Sequence, residues 1–412
     1  MTAGRRVLLL VPARSYRAAD FVRAAAKMGL DLTVASDGAL PVGGRPVIPV
    51  RPGDPDRCAE QIASRSGTVD AVVAADAPML LLAAAVAARL GLPHNPAGAL
   101  RAVADKSRQR ELWDGAGVAQ PRYTIVPAHV SDAAVRQAAA FTGFPCVVKA
   151  VSLTASQGVL RADDPAQAVR AATRIRRVLA AAGPRAAGPL LVEEYLPGPE
   201  VSIDGLLTEG GLTAVAIFDK PAMPDGPTFE ETLLVTPSRL ARHVIASAVR
   251  TAGDAARALG LRSGPVHAEL RITGAGPAML ELAARSIGGL CSRALRFPGG
   301  RSLEELILAN ALGEPVPAGL QESPRSCGVF MLPVPRAGVL SSVEGRADAE
   351  AVPGITGVTI TIPPGRRVRP LPDGDQYLGF VFAEASTPAE VEQALTTASR
   401  RLRAVIEPGA AP

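Results

Sequence analysis

The chain has 412 residues, of which 48% are hydrophobic and 20% charged, so it can bury ample apolar surface and global disorder is excluded. The formal net charge is +5, but acidic residues stand among the arginines and aromatic residues make up only 3%, which argues against a base-stacking nucleic-acid surface. The four cysteines are far apart without a CxxC pair, and we expect reduced, mostly structural thiols in a cytoplasmic protein.

The first hundred residues alternate short apolar runs with helical periodicity. The runs "VLLLV", "LTVAS", "PVIPV" and "DAVVAAD" predict strands, and residues 16–28, 54–65 and 78–91 predict helices. This alternation predicts a parallel sheet covered by helices, a Rossmann-like unit over residues 1–96. The unit lacks GxGxxG after its first strand, so a dinucleotide site is not expected there. No membrane span or targeting segment is predicted.

The rest of the chain predicts an α/β and α+β multidomain protein. A linker helix over about 97–116 falls in the segment 97–119, and residues 120–198 predict a small α+β lobe. Residues 199–320 predict a strand-dominated central lobe with a helix at 241–259. Residues 321–412 predict a strand-rich C-terminal α+β domain that ends in a helix near 387–406.

Lysine is scarce: only four of the 44 basic residues are lysines. A retained lysine is either a chance survival or a candidate for a place where a compact ammonium is preferred to a guanidinium. Lys106 closes "VADK" and Lys149 closes "PCVVKA", and the Ser/Gly loop "VSLTASQG" follows Lys149. Small side chains in such a loop let backbone N–H groups approach phosphate oxygens. These features together indicate a site for nucleotide phosphates.

Two carboxylates lie in successive apolar strands of "GPVHAELRITGAGPAMLELAARSIGG". Glu269 and Glu281 stand on either side of a Gly-rich turn, and adjacent strands of a hairpin can place them side by side. A divalent cation between them would remove their repulsion, and Mg²⁺ prefers a few carboxylates together with phosphate oxygens. Arg285 adds a planar donor fork suited to phosphate or carboxylate.

Taken in order, these pieces resemble the ATP-grasp superfamily over roughly residues 95–310, with "ADK", "FPCVVKA", "LVEEYLPGPEVSIDG", "HAEL" and "LELAARSIGG" as the marks. The stretch "PTFEETLLVTPSRL" and the C-terminal region look most like the carboxylate–amine ligase branch, including bacterial L-amino-acid ligases. Many members have Asn where this chain has Ala283, which leaves a second metal ion open.

The resemblance implies ATP between the small and central lobes, with one or two Mg²⁺ ions for which Mn²⁺ can substitute. The residues that it implies for this site are Lys106 and Lys149 on the phosphates, Ser156, Gln157 and Gly158 in the loop that closes over them, Glu193, Glu194, Tyr195 and Leu196 at adenine, Glu200 at ribose, Glu269 and Glu281 on the metal, and Arg285 on the transferred phosphoryl group.

The sequence motifs indicate the substrate-binding residues less clearly than the ATP-binding residues. Lys220 in "IFDKP" is expected to contact ATP or a substrate carboxylate, or to lie on the surface. His267 faces the same side of its strand as Glu269 and is either a satisfied strand histidine or a catalytic base. Ser286, Gly288 and Gly289 form the turn beside Arg285.

The expected activity is ATP-dependent ligation of a carboxylate, such as an amino acid, to an amine through an acyl phosphate. The alternatives are an ATP-grasp carboxylase or purine-pathway ligase, and an ATP-binding module without catalysis. The expected partners are small molecules, with neither nucleic acid nor membrane, and a homodimer is expected from the family alone.

Overall fold

The computed structural model describes residues 4–408 except 14, 39–40, 42–43, 45–46, 52, 184–187, 222 and 322–324. The strands are β1 (Arg6–Val11), β2 (Asp31–Ser36), β3 (Val47–Pro49), β4 (Ala71–Ala74), β5 (Tyr123–Val126), β6 (Cys146–Ala150), β7 (Val159–Ala162), β8 (Leu190–Glu194), β9 (Glu200–Thr208), β10 (Gly211–Asp219), β11 (Leu233–Thr236), β12 (Gly264–Thr273), β13 (Gly276–Ala283), β14 (Ser326–Leu332), β15 (Gly338–Glu344), β16 (Ile355–Ile360), β17 (Arg367–Val368), β18 (Gly379–Ala385) and β19 (Arg403–Glu407).

The α-helices are α1 (Ala18–Lys27), α2 (Pro55–Ser66), α3 (Leu80–Arg89), α4 (Ala97–Val103), α5 (Lys106–Gly115), α6 (Asp132–Thr142), α7 (Pro165–Ala182), α8 (Arg242–Ala258), α9 (Leu303–Ala311), α10 (Arg346–Glu350) and α11 (Pro388–Ser399). Short 3₁₀ helices cover Ala77–Met79, Cys291–Ala294 and Pro298–Gly300. None of the helices that the structure describes is long and apolar enough to cross a membrane.

The N-terminal unit is a parallel sheet in the order β3-β2-β1-β4. Every residue of Val7–Val11 is buried, because helices α2 and α3 cover one face and the remainder of the chain covers the other. A strand buried on both faces has a continuous apolar run rather than an alternating one. The Rossmann-like prediction for this unit is confirmed.

The predicted linker helix over 97–116 is wrong in one respect, because it is two helices. Helix α4 ends at Val103, and Asp105 then caps α5 by accepting hydrogen bonds from the N–H groups of Ser107 (2.8 Å) and Arg108 (3.2 Å). An aspartate side chain at this position starts a new helix by satisfying its free N–H groups. Lys106 is consequently the first residue of α5 rather than a mid-helix residue.

The small lobe is an antiparallel sheet in the order β5-β8-β6-β7, with α6 and α7 packed on one face. The central sheet is antiparallel and has the order β13-β12-β9-β10-β11-β14-β18-β16. Strands β14, β16 and β18 belong to the expected C-terminal domain, so that segment shares its sheet with the central lobe. Its remaining strands form a small sheet in the order β17-β15-β19.

Two helix predictions in the C-terminal half need correction. The helix expected over 387–406 ends at Ser399, and residues 403–407 form β19, which pairs with β15. Helix α9 was not predicted, because its sequence LEELILANA is apolar on most sides and shows no clear stripe. It lies buried against the N-terminal unit, and a capping box between Ser302 and Glu305 fixes its first turn.

Candidate active site

A cavity of about 220 Å³ lies between the small lobe, the central sheet and the segment before β18. It brings together fourteen of the residues named from the sequence: Lys106, Lys149, Ser156, Glu193, Glu194, Tyr195, Leu196, Glu200, His267, Glu269, Glu281, Arg285, Gly288 and Gly289. The other four, Gln157, Gly158, Lys220 and Ser286, are absent from its lining. Each of these four is next in sequence to a lining residue or hydrogen-bonded to one.

A buried ion-pair network sits on the small-lobe side of the cavity. Glu193 is 1% exposed, and one carboxylate oxygen lies 2.7 Å from Nε of Arg110 while the other pairs with Nζ of Lys149. Burial alone would raise the pKa of Glu193, but the charges of Arg110 and Lys149 outweigh it and lower the pKa to about 2. Both oxygens of Glu193 are therefore engaged by cations, and its clearest role in the structure is to position Lys149.

We expect Glu193→Gln to destabilise the protein by about 3 kcal/mol at neutral pH, because the ionised carboxylate is stabilised more strongly in the folded protein than in the unfolded chain. A depressed folded pKa gives stability that is present above the ordinary pKa of 4.5 and is lost as pH falls toward about 2. Urea unfolding should therefore show that the difference in unfolding free energy between wild type and Glu193→Gln shrinks by more than about half from about pH 6 to about pH 3. A difference that does not change with pH would contradict the assignment.

The matched control is Glu194→Gln, which alters the adjacent glutamate. The Glu194 side chain is 33% exposed and pairs with Arg122 at 3.0 Å, so its loss should cost under about 1 kcal/mol.

Lys106 joins the two lobes at the other end of the cavity. Its Nζ lies 3.1 Å from Oε1 of Glu281 and donates to the backbone carbonyl of Leu153 in the Ser/Gly loop. The lysine is 7% exposed. The ammonium thus lies between a carboxylate of the central sheet and the loop that follows β6.

The Ser/Gly loop has an unusual backbone. Ala155 and Ser156 both have φ of 56° and Gly158 has φ of 65°, a left-handed region that residues other than glycine seldom occupy. Backbone conformations of this kind persist only where the surrounding structure holds them, and they cluster at functional sites. Gly158 N–H donates to the carbonyl of Pro372 at 3.1 Å, and the Gln157 side chain donates to the carbonyl of Asp373 at 2.9 Å.

The segment after β8 borders the cavity through Tyr195 and Leu196. The Tyr195 hydroxyl donates to Asp225 at 2.9 Å, and the guanidinium of Arg161 lies 4.6 Å from the ring centroid. The Tyr195 N–H donates to the Pro145 carbonyl at 3.2 Å. Among the described residues the backbone N–H of Leu196 has no hydrogen-bond partner, so it is available to an acceptor atom of a ligand.

The hairpin of β12 and β13 places the two metal candidates opposite each other. Glu269 is the register partner of Glu281, and the register then shifts, so that Leu270 faces Met279. This bulge turns both Leu280 and Glu281 toward the cavity, although adjacent strand residues normally face opposite sides. The side-by-side arrangement of the two glutamates that the sequence predicts is present.

Lys220 is buried, so the surface position left open for it is wrong. Its side chain is 1% exposed, and Nζ lies 2.8 Å from Glu200 and 3.5 Å from Glu269 and also contacts Glu231. Burial opposes the charged form, but these carboxylates outweigh it and hold the pKa of Lys220 well above its ordinary value. Burial, only partly offset by Lys220, raises the pKa of Glu231 to about 7.

His267 has the contacts expected of a satisfied strand histidine. Nδ1 lies 3.2 Å from Asp204 and Nε2 lies 3.5 Å from Glu269. Burial opposes protonation, but the two carboxylates outweigh it and raise the pKa of His267 to about 9.

Arg285 leads the turn that closes the cavity on the central-sheet side. Its guanidinium donates to the carbonyl of Ser286 at 2.9 Å, and the N–H of Ile287 donates to Asp204 at 2.7 Å. Gly289 has φ of 59°, and a Cβ there would lie 2.6 Å from the ring of Phe380. Only glycine therefore suits this position without displacing Phe380.

The N-terminal unit contacts this turn through the side chain of Arg17. Arg17 is 2% exposed, donates to the hydroxyl of Ser286 and to the carbonyl of Ala75 at 3.2 Å, and lies 3.9 Å from Glu304. Burial lowers the pKa of Arg17, and nearby carboxylates counter the effect. The first unit of the chain thus fixes a residue of the candidate site.

A cysteine nucleophile is not indicated among the described residues. Cys291 lines the cavity, but burial raises its pKa well above the ordinary value, so the thiolate is scarce at neutral pH. Burial also raises the pKa of Cys146 to about 11 and that of Cys327 to about 12.

Sequence reasoning missed four residues that organise the site: Glu231, Arg110, Asp204 and Arg17. Arg110 lies four residues after Lys106 and so shares its helix face, which was a usable signal. Asp204 follows Glu200 on β9 at an even spacing that places both on one face of the strand. Glu231 and Arg17 lie near loops, where no periodicity shows which way a side chain points.

Comparison with protein families gives two matches. Residues 142–294 match the ATP-grasp domain, and residues 330–407 match L-amino acid ligase C-terminal domain 2. Carnosine synthase 1 of Gallus gallus is 30% identical over 307 residues, which are 70% of this chain and 33% of that protein. Alanine–anticapsin ligase of Bacillus subtilis strain 168 is 27% identical over 237 residues, 53% of this chain and 49% of that protein.

The chain spans between a third and about three fifths of the length of the first curated relatives that it matches. Among solved structures, an L-amino acid ligase from Bacillus licheniformis superposes with a TM-score of 0.83 at 22% identity, covering 98% of this chain and 100% of that one. A carboxyaminoimidazole ribonucleotide synthase from Aspergillus clavatus, complexed with ATP, has a TM-score of 0.72 at 17% identity and covers 98% and 100%. At these identities the structural likeness shows the fold.

The two domain matches agree with the element order and with the residues that the cavity brings together. The chain carries an ATP-grasp domain and a C-terminal domain of the L-amino acid ligase type.

Proposed function

We propose that the protein ligates a small-molecule carboxylate to an amine with hydrolysis of ATP to ADP and phosphate. The observation that carries this proposal is the convergence of Glu269, Glu281 and Arg285 with Lys106 and Lys149 around one cavity. Phosphoryl transfer requires positioning and neutralisation of spreading charge more than a protein nucleophile. The curated relatives include carnosine synthase 1 and alanine–anticapsin ligase, and the second name describes the ligation of an amino acid.

ATP would lie between the small lobe and the central sheet. In this arrangement Lys106 and Lys149 take the phosphates, while the loop of Ser156, Gln157 and Gly158 covers them. The N–H groups of Gln157 and Gly158 donate to the carbonyls of Thr154 and Pro372, so the loop would have to release these bonds to bind phosphate through them. The adenine would meet the segment of Glu194, Tyr195 and Leu196, where the N–H of Leu196 lacks a partner among the described residues. Glu200 would accept from ribose once its ion pairs with Lys220 and Arg271 adjust.

The residues present suit a magnesium ion. The side chain of Glu281 is 30% exposed and pairs with Lys106. The side chain of Glu269, its partner across the hairpin, is 25% exposed. One oxygen from each of Glu200, Glu231 and Glu269 also lies within 4.8 Å of the others, but the ammonium of Lys220 contacts all three of these carboxylates. Mg²⁺, or Mn²⁺ in its place, would be held by Glu269 and Glu281 and would neutralise phosphate charge when bound. Ala283 supplies no side-chain oxygen for a metal ion. Its register partner on the neighbouring strand of the hairpin is His267.

The reaction would run in two steps. A carboxylate oxygen of the acid attacks the γ-phosphorus of ATP, the bond to the bridging oxygen breaks, and ADP leaves with that electron pair. The amine nitrogen then attacks the acyl carbon, phosphate departs, and the amine loses a proton to solvent or phosphate. Arg285 would donate to the transferred phosphoryl group and then to the acyl phosphate, held by the turn that Ser286, Gly288 and Gly289 form.

The test is ADP release across a panel of amino-acid pairs with Mg²⁺, followed by mass measurement of the products. We expect ADP release that depends on both substrates and a product whose mass equals their sum less water. ADP release without a ligated product for any pair would contradict the ligase. ADP release that depends on bicarbonate would instead support a carboxylase, and nucleotide binding without turnover would support a binding module.

A further inference from the structure

A second large concavity lies beside the candidate active site, between helix α7 of the small lobe and the C-terminal segment around β17. It has a volume of about 840 Å³. We call it the arginine groove and define it by Arg177 on α7 and by Arg366, Arg367 and Arg369 on the C-terminal segment. Buried apolar side chains, including Val178 and Val368, form its floor.

The charge of the arginine groove is strongly one-sided. Four arginines and two aspartates line it, and one of these aspartates, Asp373, already pairs with Arg174 through both carboxylate oxygens at 2.9 and 3.3 Å. Within the described part of the chain, Arg177, Arg366 and Arg369 have no acidic partner. Some arginines elsewhere on the surface are paired, as Arg239 is with Asp219 and Glu392. Positive charge in a concave site concentrates the potential and attracts anions.

The wall of the arginine groove also belongs to the candidate active site. Asp375 and Gln376 line both cavities, and Gln157 of the Ser/Gly loop lines the groove. The same wall carries the bonds from Gly158 and Gln157 to Pro372 and Asp373. A ligand in the groove would therefore touch the small lobe and the C-terminal segment at once, next to the loop proposed to cover the ATP phosphates.

We propose that the arginine groove binds a small anionic molecule bearing at least two carboxylate or phosphate groups. Arg177 holds one end, Arg366 and Arg369 hold the other, and guanidinium forks match both kinds of anion. The anion is either a separate molecule or the acidic distal end of an amine substrate that leaves the active site past Gln376. In both cases it links the small lobe to the C-terminal segment.

Calorimetric titration with benzene-1,3,5-tricarboxylate, at saturating ADP and Mg²⁺, tests binding without turnover and so does not depend on the ligase proposal. We expect saturable binding that weakens with added salt, and an affinity at least about tenfold lower in Arg366→Ala/Arg369→Ala and in Arg177→Ala. Arg250→Ala, which removes an exposed arginine of α8, should bind as the wild type does. Absence of saturable binding, or equal affinity in the double variant, would overturn the proposal.

Turnover with two amine substrates, one neutral and one carrying an extra distal carboxylate, separates the two sources of the anion. If the groove holds the end of the substrate, the double variant should raise KM about tenfold for the acidic amine and leave KM for the neutral amine unchanged. If it holds a separate molecule, the tricarboxylate should change turnover of both amines to the same extent. No effect of the variant or of the tricarboxylate on either amine would count against a link to the active site.

Discussion

Glu281→Gln is expected to lower kcat by at least about a hundredfold while leaving the protein folded. The amide keeps the shape of the side chain but loses the charge that pairs with Lys106 at 3.1 Å and that would hold the magnesium ion. Because the side chain is 30% exposed, the free energy of unfolding should change by no more than about 1 kcal/mol. ADP release at increasing Mg²⁺ and urea unfolding measure the two effects separately.

The matched control is Glu111→Gln on α5, the helix that Lys106 begins. Glu111 has a side chain that is 45% exposed and pairs with Arg108 at 2.7 Å, so the same chemical change should leave turnover unaffected. If Glu281→Gln kept ADP release within about threefold of wild type, the assignment of Glu281 to the metal would be wrong, because one lost charge contact in a reacting site costs far more.

Lys220→Met is expected to destabilise the protein by about 3–5 kcal/mol, because it leaves Glu200, Glu231 and Glu269 together without the ammonium between them. Methionine fills a similar volume, so lost charge rather than a cavity dominates the effect. Carboxylates without this partner should take up protons, and the deficit should therefore shrink as pH falls. Urea unfolding at several pH values measures both quantities.

Lys27→Met provides the comparison on the surface. The Lys27 side chain is 54% exposed and pairs at 3.0 Å with Glu305, whose side chain is only 7% exposed. Glu305 keeps the hydrogen bond from the Ser302 N–H at 2.8 Å, so removal of Lys27 should cost only about 1 kcal/mol. If Lys220→Met and Lys27→Met both lowered the free energy of unfolding by the same small amount, the stability of the buried carboxylate cluster would not depend on Lys220.

Motifs with a local physical signature were predictable from the sequence. The neighbourhood of Glu269 and Glu281 follows from two strands joined by a Gly-rich turn, but their direct pairing does not. The turn register alone would place Leu280 opposite Glu269, and the bulge between Glu269 and Leu270 brings Glu281 there instead. The burial of Lys149 follows from its place in an apolar strand. The split of the linker helix was also accessible, because Asp105 is an N-cap residue directly before Lys106, but the apolar periodicity that continues on both sides concealed it.

Contacts between distant segments were not predictable. Arg17 and Ser286 are separated by 269 positions, and only the packing of the N-terminal unit on the central sheet brings them together. The engagement of Glu193 by Arg110 and Lys149 also depends on how α5 meets the small lobe. The continuation of the central sheet through β14 and β18 similarly depends on long-range strand pairing, which one sequence does not specify.

Oxygen labelling tests the acyl-phosphate reaction most directly. The acid substrate is prepared with ¹⁸O in its carboxylate, and the phosphate released during ligation is examined by mass spectrometry. Attack of the carboxylate on the γ-phosphoryl group, followed by departure of phosphate from the acyl carbon, predicts one labelled oxygen in the inorganic phosphate together with ADP. Unlabelled phosphate, or label found in AMP, would contradict the assignment of this site to an ADP-forming carboxylate–amine ligase.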